Sequence, residues 1–132
     1  MAIVITNKKL VDGPKLAVVQ FTGVFTDATG NETAAVKVDA STLTPAAGAA
    51  NPLKVMRIWW SCTAVQTFLE FDGTTDGHFL NLSQDASGYL DFRAVGGFRD
   101  NASTPTGDIT LTTIGTVAEG QGYSVIIEVS KS

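Results

Sequence analysis

At 132 residues the chain is long enough for one domain with a single core. Hydrophobic residues make up 44% and charged residues 17%, below the roughly 25% charge usual in soluble domains. A net charge of -4 and the lack of a basic block disfavour non-specific binding to nucleic-acid phosphates. No segment nears the ~20 apolar residues that a membrane-spanning helix needs.

Met1 to Pro14 carries Ile3-Val4-Ile5, then Asn7, Lys8 and Lys9, then a Gly13-Pro14 break. The apolar run Ala2 to Ile5 is too short for a signal-peptide core, so synthesis and folding in the cytoplasm are expected. The segment reads as an extended N-terminal arm over residues 1–14, ahead of a domain over 15–132. It is open to two uses: an edge strand of the domain, or an arm reaching a neighbouring subunit.

Lys15 to Thr26 alternates as a strand, with Ala17, Val19, Phe21 and Phe25 on one face. Asp27 to Gly30 has turn chemistry. Glu32 to Ala40 reads as the return strand of a hairpin, with Ala34, Val36, Val38 and Ala40 inward and Lys37 and Asp39 outward. Ser41 to Pro52 holds two prolines among small residues and reads as a contact loop or a crossing between sheets.

Leu53 to Asp72 holds both tryptophans and the only cysteine. A period of two puts Met56, Ile58, Trp60, Cys62 and Ala64 on one face, and Arg57, Trp59, Ser61 and Thr63 on the other. The phase changes near Thr63-Ala64. Val65, Thr67, Leu69 and Phe71 then share a face, so two consecutive core strands are expected, joined by a bulge or tight turn. Cys62 has no cysteine to pair with, and it reads as a buried free thiol.

Gly73 to His78 is turn-like, and Phe79 to Leu82 a short strand. Gly88 to Arg93 places Leu90 and Phe92 opposite Tyr89, Asp91 and Arg93. Ala94 to Gly107 reads as a second long loop. Asp108 to Gly115 and Gly122 to Lys131 are the last strands, the latter with Tyr123, Val125, Ile127 and Val129 inward. About eight short strands at this spacing predict an all-β fold: a single-domain antiparallel β-sandwich of jelly-roll type. The expected core is built around Trp60, with Val19, Phe21, Val36, Val38, Met56, Ile58, Leu69, Phe71, Leu90, Phe92, Leu111, Val125 and Ile127.

Little here carries catalysis. The only histidine, His78, has no G-x-S-x-G elbow to serve. Asp72, Asp76 and His78 lie close in sequence, but the spacing is not that of a calcium loop, and turn chemistry accounts for it. No enzyme activity, cofactor or metal is expected. Trp59 projects away from the apolar face beside Arg57. It reads as core of a second layer, as a subunit anchor, or as a ligand platform.

The run RIWWSCTAVQTFLEFDGTTDGHFLNLSQDASGYLDFRAVGGFRD, followed by TGDITLTTIGTVAEGQGYSVIIEVSK, resembles small virion structural proteins of tailed bacteriophages. The elements carrying the likeness are a Trp-containing strand, an EFDGTTD-like hairpin, a GYLDFR-like strand and a C-terminal hairpin, over roughly Lys54 to Lys131. The resemblance implies a virion location and decoration, or cementing, of the shell through contacts with the major capsid protein. It equally admits a head-to-tail or tail component.

With the decorating role goes a symmetric homo-oligomer, a trimer matching the local three-fold positions of a capsid lattice. No nucleic-acid or membrane partner is expected. The expected contact residues are Arg57, Trp59, Tyr89, Phe98 and Arg99, with the arm and the two long loops. A reading from another class is a carbohydrate-binding sandwich. It would use Trp59 or Tyr89 as stacking platform and Asp72 or Asp76 to accept sugar hydroxyls.

Overall fold

The structure, a computed structural model, describes residues 3–13, 15–26, 35–39, 54–63, 66–82, 86–98, 103–114 and 121–130. Nine strands lie among them: β1 (Ile3–Asp12), β2 (Leu16–Phe25), β3 (Ala35–Val38), β4 (Lys54–Thr63), β5 (Gln66–Thr75), β6 (Gly77–Leu82), β7 (Ala86–Asp91), β8 (Ser103–Ile114) and β9 (Gly122–Ser130). They form two antiparallel sheets. One has the order β1-β2-β9-β4-β7, the other β3-β8-β5-β6. The fold is a β-sandwich, and it is wound as a jelly roll: β2 to β9 form two four-stranded sheets, the chain changing sheet at every step except β5 to β6, and β1 is added at one edge.

The core forms where the alternating faces meet. Phe21, Phe25, Phe71, Ile58, Leu69, Leu82, Ile109, Leu111 and Ile127 are fully buried between the sheets. The inward faces read from β2, β5 and β9 are the observed ones: Ala17, Val19, Phe21 and Phe25; Thr67, Leu69 and Phe71; Tyr123, Val125, Ile127 and Val129. Cys62 is buried as a free thiol.

Several expectations are corrected. β2 and β3 do not form a hairpin: β2 pairs with β1 and β9, while β3 pairs with β8 in the other sheet. The last two strands likewise lie in different sheets. Crossing between sheets lets each strand bury one face against strands that are not its sequence neighbours. Val36 is exposed and Lys37 buried, the reverse of simple alternation. The register of β3 on β8 shifts between Val36 and Val38, and such a bulge inverts the side-chain phase.

The same device acts at Met56, where β4 shifts register on β9 and Val55 becomes the buried residue. Trp60 is not the centre of the core. It is partly buried, packed against the fully buried cluster. The loop expected over Ala94 to Gly107 is largely structured. A 3-10 turn spans Arg93–Val95, Phe98 bridges to Val55, and β8 already begins at Ser103. Gly96 and Gly97, at φ 83° and 94°, supply the left-handed backbone that turns this segment back onto β4.

Ile3–Asp12 takes the edge-strand option within this chain, pairing with β2 along its length. Its side chains bury little. Ile5, Leu10 and Val11 are all exposed, on a strand whose outer edge has no partner strand among the described residues. Ser41 to Pro52 lies outside the described residues.

Candidate functional site

The outer face of the five-stranded sheet gathers three of the five expected contact residues. Trp59 on β4 is opposite Tyr89 on β7. A non-core position on each strand directs both rings outward, and they stack with centroids 5.2 Å apart at 28°. Arg57, two residues before Trp59 and so on the same face, holds its guanidinium carbon 5.0 Å from the Trp59 ring centre. Cation–π contact of this kind fixes the indole's orientation.

The charges around these rings are committed to one another. Arg57 donates to both carboxylate oxygens of Glu128 on β9, with Nη2 3.0 Å from Oε1. That forked contact raises the Arg57 pKa further above its ordinary value. Arg93 donates through Nε and Nη2 to Asp91, the latter at 2.7 Å. The Arg93 bonds hold the Asp91 carboxyl well below the usual carboxylate range. Tyr89 also donates its hydroxyl to Asp91, at 3.1 Å. The result is an aromatic pair framed by two closed ion pairs.

Of the other two expected contact residues, only one is placed by the structure. Phe98 is not part of this face. Its ring lies 6.1 Å from Phe71 and 5.5 Å from Phe92, at the margin of the core. The backbone bridge to Val55 pulls it there, with Phe98 N–H donating to Val55 O at 2.7 Å. Arg99 lies outside the described residues.

The Asp72 to His78 stretch is the β5–β6 hairpin. Asp76 Oδ1 accepts from the Gly73 N–H at 3.2 Å, an Asp side chain closing a turn. Among the described residues no group of three His, Cys, Asp or Glu side chains is placed to hold a metal ion. Cys62 Sγ lies 3.9 Å from Thr67 Oγ1, and burial pushes its thiol pKa up. A thiol so placed is a core residue in its chemistry.

Sequence reasoning missed the hydroxyl-bearing positions beside Trp59. Ser61 and Ser124 face each other across β4 and β9, and two shallow concavities meet at them. One, about 220 Å³, is lined by Trp59, Trp60, Ser61, Ser124 and Ile126. The other, about 190 Å³, is lined by Gly23, Val24, Ser61, Thr63, Gly122, Tyr123 and Ser124. The outward Ser and Thr positions of β4 and β9 were legible one strand at a time. Their alignment needed the register.

No family model matches the chain, and no curated protein matches it. Among solved structures, a cupin superfamily protein from Desulfitobacterium hafniense DCB-2 aligns with a TM-score of 0.35 at 10% identity. That alignment covers 97% of this chain and 77% of the other. A cupin domain from Bordetella pertussis Tohama I aligns with a TM-score of 0.34 at 11% identity, covering 97% and 93%.

Proposed function

We propose that this chain is a non-enzymatic structural protein of a tailed-phage virion, decorating or cementing the capsid shell. The observation that carries the reading is the outer edge of β1, a ten-residue strand that pairs only with β2 among the described residues and is flanked by exposed apolar side chains. Ile5 is 46% exposed, Val11 53%, and Val24 on the adjoining β2 48%. An edge of that length presents backbone N–H and C=O groups ready to pair with another chain. A free monomer would gain by covering it.

Two further points support the role. The jelly roll is an architecture of viral capsid domains as well as of lectins and cupins, although a fold alone assigns no function. The sequence resemblance to small virion proteins spans roughly Lys54 to Lys131. Decoration needs no chemistry, only a stiff β-core and repeated weak contacts summed over a lattice. In this reading the β1–β2 edge makes the subunit and shell contacts, and the chain works as a closed symmetric oligomer.

The test is to add purified protein back to capsids that lack it. Saturable binding with raised capsid heat resistance is expected. An Ile5→Lys, Val11→Lys variant should remain folded and bind much more weakly. Undiminished binding by that variant would remove β1 from the contact, and no binding by the parent chain would remove the decorating role.

A further inference from the structure

The register of the five-stranded sheet aligns a hydroxyl side chain from every strand. Ser87 pairs with Ser61, Ser61 with Ser124, Ser124 with Thr22, and Thr22 with Thr6. All five lie on the outer face, because the core residues Phe21, Cys62, Tyr123 and Val125 alternate with them. The row runs across the strands, one hydroxyl per strand spacing of about 4.8 Å. Beside it runs a second row, Tyr89, Trp59, Ile126 and Gln20.

The two concavities that meet at Ser61 and Ser124 form a trough along this hydroxyl row. Trp59 stands in its wall. Tyr89 stacks on Trp59 from the β7 side, whereas the concavity opens on the β9 side. The indole is therefore held in place by one neighbour while it lines the trough with the other.

The lining selects a ligand class. It mixes aromatic and aliphatic residues, Trp59, Trp60, Tyr123, Val24 and Ile126, with the hydroxyls of Ser61, Thr63 and Ser124, and it includes no charged side chain. Beside Trp59 and Tyr89 the charges close on each other, Arg57 on Glu128 and Arg93 on Asp91, and Lys8 stands at the β1 end, opposite Gln20. An ionic ligand finds no counter-charge in the lining, and a single-stranded nucleic acid would need a basic groove. A pyranose fits both features, with an apolar C–H face for the indole and equatorial hydroxyls for serine and threonine.

We propose that this trough binds an extended neutral oligosaccharide lying across the strands. Trp59 is its stacking platform, and Ser61 and Ser124 exchange hydrogen bonds with sugar hydroxyls. Thr22 and Ser87 continue the row on either side. The trough adjoins the β1–β2 edge through Val24, and the proposal does not depend on the decorating role.

The test is affinity electrophoresis of the native protein through gels containing hydroxyethylcellulose, galactomannan or dextran, with polygalacturonate as the anionic control. Retardation by at least one neutral polymer is expected, insensitive to salt. Trp59→Ala should weaken it by about tenfold or more, as loss of a central aromatic contact does. A Ser61→Leu, Ser124→Leu variant, which fills the trough and keeps the indole, should abolish it, each variant being checked for folding by its melting curve. No retardation by any neutral polymer overturns the proposal. So does equal retardation of the folded variants, or retardation by polygalacturonate alone.

Discussion

The indole of Trp60 lies across Gly88 on the neighbouring strand. A methyl group at position 88 would stand 2.5 Å from Trp60 Cζ2 and 2.8 Å from Cη2. The two residues are directly opposite in the β4–β7 register, so the missing side chain of one makes room for the ring of the other. Tyr123 and Gly23 repeat the arrangement across β9 and β2, with a Cβ at 23 only 2.6 Å from Tyr123 Cε2.

Gly88→Ala and Gly23→Ala should therefore each destabilise the fold, by about 1–3 kcal/mol, the scale of overpacking. Gly13→Ala is the control, since a Cβ there meets nothing nearer than 3.4 Å. Urea midpoints compare the three. Equal midpoints for Gly13→Ala and Gly88→Ala would mean that the Trp60 ring is free to move aside.

Phe71→Ala should cost more than Trp60→Ala. Phe71 is fully buried, whereas Trp60 only packs against the core cluster. Emptying a large aromatic site costs about 3–5 kcal/mol, and partial burial keeps Trp60 at or below the low end. Equilibrium denaturation of the two variants checks the order. The reverse order would restore Trp60 to the centre of the core.

The Cys62 thiol should be silent toward Ellman's reagent in the native protein at pH 8 and react fully once urea unfolds the chain. It is 3% exposed, and burial raises its pKa, so the thiolate is both scarce and shielded. Rapid reaction of the folded protein would place the thiol at the surface.

Asp91 gives a pH dependence with a definite sign. Its folded pKa is depressed by Arg93, below the ordinary 3.8. The pair's contribution is therefore complete above that value and is lost as pH falls toward the folded pKa, because the unfolded chain takes up the proton first. The stability gap between the parent chain and Asp91→Asn should be small, since the pair is exposed to salt and water. It should shrink below pH ~3.8, the ordinary Asp value. Urea titrations at neutral and acidic pH measure it, and a gap that widens on acidification would contradict the assignment.

How much of this was legible depended on the strand. β9 alternates from Tyr123 to Val129 with its inward face read directly from the chain, and only Glu128, buried in its ion pair with Arg57, departs from the burial pattern. β5 likewise declares Thr67, Leu69 and Phe71. β3 hides its face because a bulge at Lys37 inverts the phase, and nothing in the local composition marks a bulge. Pairing was less legible than alternation. Residues 27–34 carry hairpin-like turn chemistry, yet the strands they join enter different sheets. The stacking of Trp59 on Tyr89 and the hydroxyl row both depend on register between strands distant in sequence. Phe98 shows the converse, an aromatic in a loop-like stretch that the β4 backbone draws onto the core.

The proposed decorating role is tested most directly by counting this chain in virus particles purified from a culture that produces it. Quantitative mass spectrometry gives the ratio of this protein to the major shell protein. The account predicts a fixed, lattice-scale ratio that survives washing in moderate salt. A few copies per particle, confined to the tail or neck fraction, would contradict shell decoration, and complete absence from particles would contradict the virion role itself.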